Sequence, residues 1–260
     1  MFEKELEAAI EAAKRAVKGI LEIYNTPFEV EIKEDNSPVT LADKGADKLI
    51  REYLGTMFPD YGMLTEESND DLSRLDKDYI WIVDPVDGTK DFVARDNEFT
   101  TNIALAYKGQ VVVGVVSIPA TKEIYYASKN NGAYYDDGKG NVQRIYVNNK
   151  TENLTMLTSR FHVSELEHEY VKKHSDKIKT VKQYGSALKA CLIAKGEAEI
   201  SIRFNNGTKE WDTAASQCVI EEAGGLFIKP NGEPLTYNRK DVYNRKGFII
   251  LNRKENLFIK

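Results

Sequence analysis

The sequence predicts an α/β protein in two parts, an α+β first half followed by an α/β second half. Three observations carry this reading. Two amphipathic helical periods come before any long strand, a series of short strands broken by Gly-containing turns follows, and strands and helices then alternate to the end. At 260 residues, 42% hydrophobic and 30% charged, the chain suits one or two domains and is neither disordered nor fibrous.

The first helix is marked by Phe2, Leu6, Ile10, Ala13, Val17, Ile20 and Tyr24, one apolar stripe at steps of three and four, stopped by Asn25-Thr26-Pro27. A second stripe, Ala42, Ala46, Leu49, Ile50, Tyr53, Leu54 and Met57, ends at Phe58-Pro59. The period then changes. Met63-Leu64 is a short strand-like piece, 79–83 (YIWIV) is an apolar strand, and further strands are expected over 100–107, 111–118, 123–127, 133–135 and 142–147. Lys108-Gly109, Pro119-Ala120, Asn131-Gly132 and Asp137-Gly138 separate them, the punctuation of an antiparallel meander. Beyond Lys150-Thr151-Glu152-Asn153 the expected elements alternate: strands over 155–158, 180–184, 198–204, 226–228 and 248–251, helices over 164–173, 187–194 and 211–223. We therefore expect domains at 1–150 and 151–260, with no long linker and hence a shared interface.

A net charge of −5 argues against a nucleic-acid polymer as partner, which would favour a basic surface. It is compatible with a small anionic substrate if the site itself supplies positive charge. Cys191 and Cys218 both fall in apolar helical segments, as buried free thiols of a reducing compartment would. The N-terminus carries charges of both signs from its third residue, and no apolar run approaches the ~18–20 residues of a membrane span. A cytoplasmic protein is expected; attachment to the inner face of the membrane, and the choice between monomer and homodimer, are left open.

The densest chemical signal is Asp84-Pro85-Val86-Asp87-Gly88-Thr89, directly after YIWIV. Two carboxylates three residues apart leave the strand around a rigid Pro, and Gly88-Thr89 can turn to offer backbone N–H groups to an anion. The plainer reading is an acidic turn capping its own backbone. Glu66-Glu67 after Met63-Leu64, and Asp212 at the opening of a helix, add acids whose plainer readings are a solvated glutamate and an N-cap. Together the four acids could form an all-oxygen cage, which suits Mg²⁺ better than zinc. Without a cation, each like-charged pair at ~5 Å and an effective dielectric of ~20 would repel by roughly 3 kcal/mol.

These segments, with Trp211-Asp212-Thr213-Ala214-Ala215 and Glu222-Ala223-Gly224-Gly225, resemble the signature of the inositol monophosphatase superfamily, Mg²⁺-dependent and lithium-sensitive phosphomonoesterases. Within it the chain is most similar to the CysQ-type 3′(2′),5′-bisphosphate nucleotidases. The stretches that carry this are 36–43 (NSPVTLAD), 87–92 (DGTKDF), 98–105 (EFTTNIAL), 159–162 (SRFH), 185–189 (GSALK) and Arg203-Phe204. The resemblance covers essentially the whole chain and implies the layered α-β-α-β-α sandwich of the sugar phosphatases.

Carried over residue by residue, the resemblance implies that Glu66, Asp84, Asp87, Asp212 and the Val86 carbonyl hold two or three Mg²⁺ ions, with inhibition by Li⁺. Glu66 and Thr89 would position the attacking water, Asp43 would accept from the Thr89 hydroxyl, and the Gly88 and Thr89 amides would hold the scissile phosphate. Glu66, Val86, Asp87, Gly88, Thr89 and Asp212 would thus all face substrate. Thr89 as a covalent nucleophile lacks an evident His or Lys to activate it, so water is the better nucleophile.

Substrate choice is expected from the second half. Gly185-Ser186 opens a helix, whose dipole and free N–H groups favour an anion, and Lys189 follows on its first turn. The resemblance places Ser186, Lys189, His162 and Arg203 around the nucleotide, the cationic ones near the phosphate that is kept; the plainer readings are a cap and solvated surface charges. Ala187 stands where such nucleotidases often have a second Ser, and Ser216 replaces a frequent Gly. The expected reaction is hydrolysis of the 3′-phosphate of adenosine 3′,5′-bisphosphate to AMP and phosphate, with 3′-phosphoadenylyl sulfate as a further substrate. An inositol- or sugar-phosphate phosphatase of the same fold is the enzymatic alternative, and a non-catalytic cation-sensing module the alternative of another class.

Overall fold

A computed structural model describes residues 2–33 and 38–258. Helix α1 (Glu3–Tyr24) and helix α2 (Leu41–Met57) pack as a pair. Their buried faces differ from the apolar stripes: α1 turns its small residues inward (Ala8, Ala9, Ala12, Ala13, Ala16), with Ile10 and Val17 at the margin, while Met57 of α2 is exposed. Small residues let the helix lie close to its support. In α2 two acids, Asp43 and Asp47, share the buried face with Ala42, Ala46, Ile50 and Leu54. Between the helices, β1 (Glu31–Ile32) and β2 (Pro38–Val39) pair antiparallel. Asn36 and Ser37 of the 36–43 stretch lie outside the described residues.

The meander is present in full. Strands β3 (Gly62–Thr65), β4 (Tyr79–Asp87), β5 (Thr100–Tyr107), β6 (Gln110–Ile118), β7 (Glu123–Ser128), β8 (Gly132–Asp136) and β9 (Val142–Ile145) form, among the described residues, a seven-stranded sheet in chain order. Only β3 and β4 pair in parallel. One difference from the sequence reading bears on the site: the backbone stays extended through Asp84-Pro85-Val86-Asp87 instead of turning at the proline. The register against β5 shifts between Asp84 and Asp87, and such an irregularity is where a strand tolerates a residue without an N–H. The turn comes at Gly88 (φ 86°), and helix α3 (Thr89–Ala94) follows.

A second sheet holds β10 (Leu154–Ser159), β11 (Ile178–Tyr184), β12 (Ile200–Arg203), β13 (Leu226–Ile228) and β14 (Phe248–Leu251), in the order β11-β10-β12-β14-β13. Helix α4 (Glu165–Lys173) packs Tyr170 on its outer face with Ile178, Ile202 and Leu251. Helices α5 (Leu188–Ala194) and α6 (Glu210–Glu222) lie between the two sheets, which completes the expected α-β-α-β-α layering. Gly114 of β6 lets α6 come close: a Cβ there would collide with the Ala215 carbonyl oxygen and sit 2.7 Å from Cys218 Cβ. That approach brings the start of α6, and Asp212, toward the end of β4. Cys191 and Cys218 are both free and buried. No helix among the described residues is long and apolar enough to cross a membrane.

Candidate active site

The end of β4, the start of α3, the starts of α5 and α6 and the C-terminal ends of β10 and β12 surround one cavity of about 400 Å³. It is lined by Glu66, Asp84, Val86, Asp87, Gly88, Thr89, His162, Ser186, Lys189, Arg203 and Asp212, so the residues singled out from sequence on both sides of residue 150 converge there. Asp43 stands behind it.

Asp84, Asp87 and Asp212 offer carboxylate oxygens that all lie within 4.8 Å of one another. Glu66 lines the same cavity, but its Oε1 accepts from Lys33 Nζ at 3.1 Å, and the same ammonium pairs with Glu67. The structure thus gathers three of the four expected acids tightly and holds the fourth through a lysine. Lys33 lies 33 residues from Glu66, and no local pattern announces the pair.

Each acid is positioned by its element. Asp84 Oδ1 accepts the Val86 N–H at 3.1 Å. Asp87 Oδ2 accepts from Asn102 Nδ2 at 3.1 Å, the Ala187 N–H at 2.8 Å and Thr100 Oγ1 at 3.3 Å. Asp212 does not cap α6 from outside: it is the third helical residue, and its Oδ2 accepts the Lys209 N–H at 2.7 Å. Asp43 likewise holds the third position of α2, where its Oδ2 accepts from the Thr40 N–H (2.8 Å) and hydroxyl (2.7 Å). Its Oδ1 lies 3.2 Å from Thr89 Oγ1, which is also 3.3 Å from the Val86 carbonyl oxygen.

Burial, then the neighbouring carboxylates Glu66, Asp87, Asp212 and Asp43, holds Asp84 well above the usual carboxylate range. Burial, then Asp87 and Glu66, pushes Asp212 up to about 8. Burial also raises Asp87, against Lys189 and the N–H donors that favour its charged form. Acids packed this closely, with no ion pair among the described residues reaching Asp84, Asp87 or Asp212, fit an oxygen-ligated divalent cation.

The opposite wall is basic. Lys189 Nζ donates to the Ser186 and Tyr184 carbonyls at 2.7 and 3.2 Å; burial lowers it to about 8, while Asp87 favours its charged form. Arg203 Nη1 donates to the His162 carbonyl at 2.8 Å. His162 Nε2 lies 3.0 Å from Lys90 Nζ, a contact that suits a neutral ring accepting from the ammonium. Burial, then Lys90, Arg203 and Lys189, pushes that imidazole down to about 4. Lys90 lies in the 87–92 stretch, but nothing local announces its contact with His162, 72 residues away.

Gly185-Ser186 differs from expectation. It does not open α5, which begins at Leu188 behind Ala187; it is a turn with Ser186 at φ 45°. The Ser186 hydroxyl donates to the Glu98 carbonyl at 2.6 Å and so is tied to the segment that leads into β5. Ala187 has no hydroxyl to offer and contributes its N–H to Asp87. Ser216 is buried, its hydroxyl donating to the Thr213 carbonyl at 3.2 Å.

Comparison with known proteins agrees in sequence and in fold. The pattern that describes the inositol monophosphatase family matches residues 1–256. The chain is 36% identical over 248 residues to the 3′(2′),5′-bisphosphate nucleotidase CysQ of Salmonella typhimurium, covering 94% of this chain and 98% of that one. It is 35% identical over the same span to the CysQ of Escherichia coli K12. Among solved structures, CysQ from Bacteroides thetaiotaomicron superimposes with a TM-score of 0.85 at 35% identity, over 98% of this chain and 99% of that one. The extragenic suppressor protein suhB of Bartonella henselae, at 24% identity, shares the fold with a TM-score of 0.82, over 99% of this chain and 97% of that one.

Proposed function

The chain belongs to the inositol monophosphatase family, and from that premise we propose that it is a Mg²⁺-dependent 3′(2′),5′-bisphosphate nucleotidase. It hydrolyses the 3′-phosphate of adenosine 3′,5′-bisphosphate to AMP and phosphate, acts also on 3′-phosphoadenylyl sulfate, and is inhibited by Li⁺. The observation that carries this reading is the division of one cavity between a convergent acid cluster and a basic wall. A substrate with two anionic groups needs both: cations at the phosphate that leaves, and protein cations at the one that is kept.

In this reading Glu66, Asp84, Asp87, Asp212 and the Val86 carbonyl hold the metal ions. Divalent cations bound there offset phosphate charge and make water a usable nucleophile near neutral pH. The chain's own part is positioning. Asp43, fixed by the cap of α2, accepts a hydrogen bond from the Thr89 hydroxyl, which leaves the lone pairs of Thr89 Oγ1 free to accept from the attacking water and, with Glu66, to position it. Gly88 turns the chain so that its amide and that of Thr89 meet the scissile phosphate. Lys189, Arg203 and His162, with the Ser186 turn, receive the nucleotide and its second phosphate. We keep a division near residue 150, with the last acid, Asp212, supplied by the second part, and a cytoplasmic location, which two buried free thiols suit.

The test is phosphate release with and without Mg²⁺ from adenosine 3′,5′-bisphosphate, 3′-phosphoadenylyl sulfate and inositol 1-phosphate. Mg²⁺-dependent release, with the bisphosphate far ahead in kcat/KM, is expected. A preference for inositol 1-phosphate would overturn the substrate, and Mg²⁺ binding without phosphate release would overturn the enzyme.

A further inference from the structure

A second group of acids, Asp91, Asp96 and Glu98, reaches the cavity wall through Asp91, and its carboxylate oxygens are also within 4.8 Å of one another. It is built around a cation of the chain itself. Arg160, the residue after β10, reaches across with Nη2 2.6 Å from Glu98 Oε2, and Nε 3.3 Å from Asp96 Oδ2 and 3.9 Å from Asp91 Oδ1. Glu98 grips the Gly185-Ser186 turn at two points: its Oε2 accepts the Gly185 N–H at 2.8 Å, and its carbonyl accepts the Ser186 hydroxyl at 2.6 Å. Gly185 rests on Asp91 so closely that any Cβ would collide with that carboxylate, and Ser186 is held at φ 45°, a region non-glycine residues seldom enter.

What the turn presents explains why it is held. The next N–H, that of Ala187, sits on Asp87 Oδ2, and the Ser186 carbonyl anchors the Lys189 ammonium. One braced turn therefore sets a carboxylate of the acid cluster and a cation of the basic wall. We propose that Glu98 and Arg160 are positioning residues: they hold the Gly185-Ser186 turn so that Ala187 orients Asp87 and Lys189 meets the nucleotide. The inference rests on the nucleotidase reading for its consequences in catalysis, but its geometry stands on the metal-free protein alone.

The test joins both. In metal-free protein, Glu98→Ala should speed hydrogen exchange of the Gly185 and Ala187 amides at least ~10-fold, the β5 and β6 amides keeping their protection. In activity, Glu98→Ala should lower kcat for the bisphosphate and for a small phosphate ester alike, by ~10- to 100-fold, as misplacement of about 1 Å can. It should also raise KM for the bisphosphate and the Mg²⁺ concentration needed for half activity. Glu98→Gln, whose amide oxygen can accept the same N–H, should restore kcat to within about threefold. If Glu98→Ala does not fold, Arg160→Ala, at a side chain one-third exposed, should shift the same quantities in the same direction. Unchanged exchange at Gly185 and Ala187, or a fall in melting temperature with KM and Mg²⁺ requirement unmoved, would overturn the proposal. Wild-type protein that releases no phosphate while the exchange result holds would instead overturn the nucleotidase reading and leave the brace standing.

Discussion

Asp84, Asp87 and Asp212 form one trio of carboxylates, and Asp91, Asp96 and Glu98 form another with the same close spacing. The two differ in what faces them. Arg160 lies within ion-pair distance of every member of the second trio, whereas no ion pair among the described residues reaches the first, which lines the cavity. Burial raises carboxylates in both, Asp212 to about 8 and Asp91 to about 7. Spacing alone therefore does not mark a cation site. What distinguishes the first trio is that all three of its acids line the cavity, whereas of the second only Asp91 does. Lys189 lies between the two, its charged form favoured by Asp87, Asp91 and Glu98.

The contrast breaks most sharply with Asp87→Asn. Phosphate release should fall by ~10²–10³ or more, the scale on which a transition-state charge contact matters. The metal-free protein should melt no lower than wild type, because a carboxylate whose charged form burial disfavours becomes a neutral amide of the same shape. Wild-type turnover in this variant would remove Asp87 from the metal site. Stability offers the next measure. Mg²⁺ at a hundred times its Kd should stabilise the wild type by about 2.7 kcal/mol, seen as a rise in Tm. Asp87→Asn should lose most of that rise and Asp96→Asn should keep it; equal losses would mean that both trios take up cations. Smaller again, Lys189→Ala should cut kcat/KM for the bisphosphate about tenfold, near the lower bound for losing one charged hydrogen bond. Turnover of a small phosphate ester should change little, and an equal loss on both substrates would take Lys189 out of the specificity role.

The first trio was legible in the sequence and the second was not, and the reason is physical. Asp84 and Asp87 belong to one strand end, so a short motif brings them together, and Asp212 sits in a segment with its own helical signature. The meander was equally legible, because Asn131-Gly132 and Asp137-Gly138 mark turns between short strand-like runs. What escaped depends on pairs distant in sequence: Lys33 with Glu66, Arg160 with Asp91, Asp96 and Glu98. Neither follows a period or a turn rule. Local propensity also misjudged two backbones. Pro85 reads as a turn but sits where the β4 register shifts, and Ser186 reads as a helix opener but lies in a turn at positive φ, its hydroxyl on the Glu98 carbonyl.

The last measure separates the trios by pH. Burial and then Asp96 hold Asp91 up to about 7 in the folded protein, against 3.8 for an unperturbed Asp. Between those values the folded state binds the proton more tightly than the unfolded state. Its contribution is therefore full below about pH 4, falls as pH rises toward 7, and is flat above. Asp212, held up to about 8, adds a similar decline that reaches higher pH, but only while no cation lies beside it. Urea denaturation at pH 5 and pH 8 should show wild type losing stability toward pH 8, and losing less when Mg²⁺ is present at both pH values. Asp91→Asn in Mg²⁺ should lose less still, because the remaining decline belongs in part to the trio that takes no metal. If Asp91→Asn declined in Mg²⁺ as steeply as the wild type, Asp91 would be ionised at pH 5 against Arg160, and the two trios would differ in the state of their protons as well as in their partner.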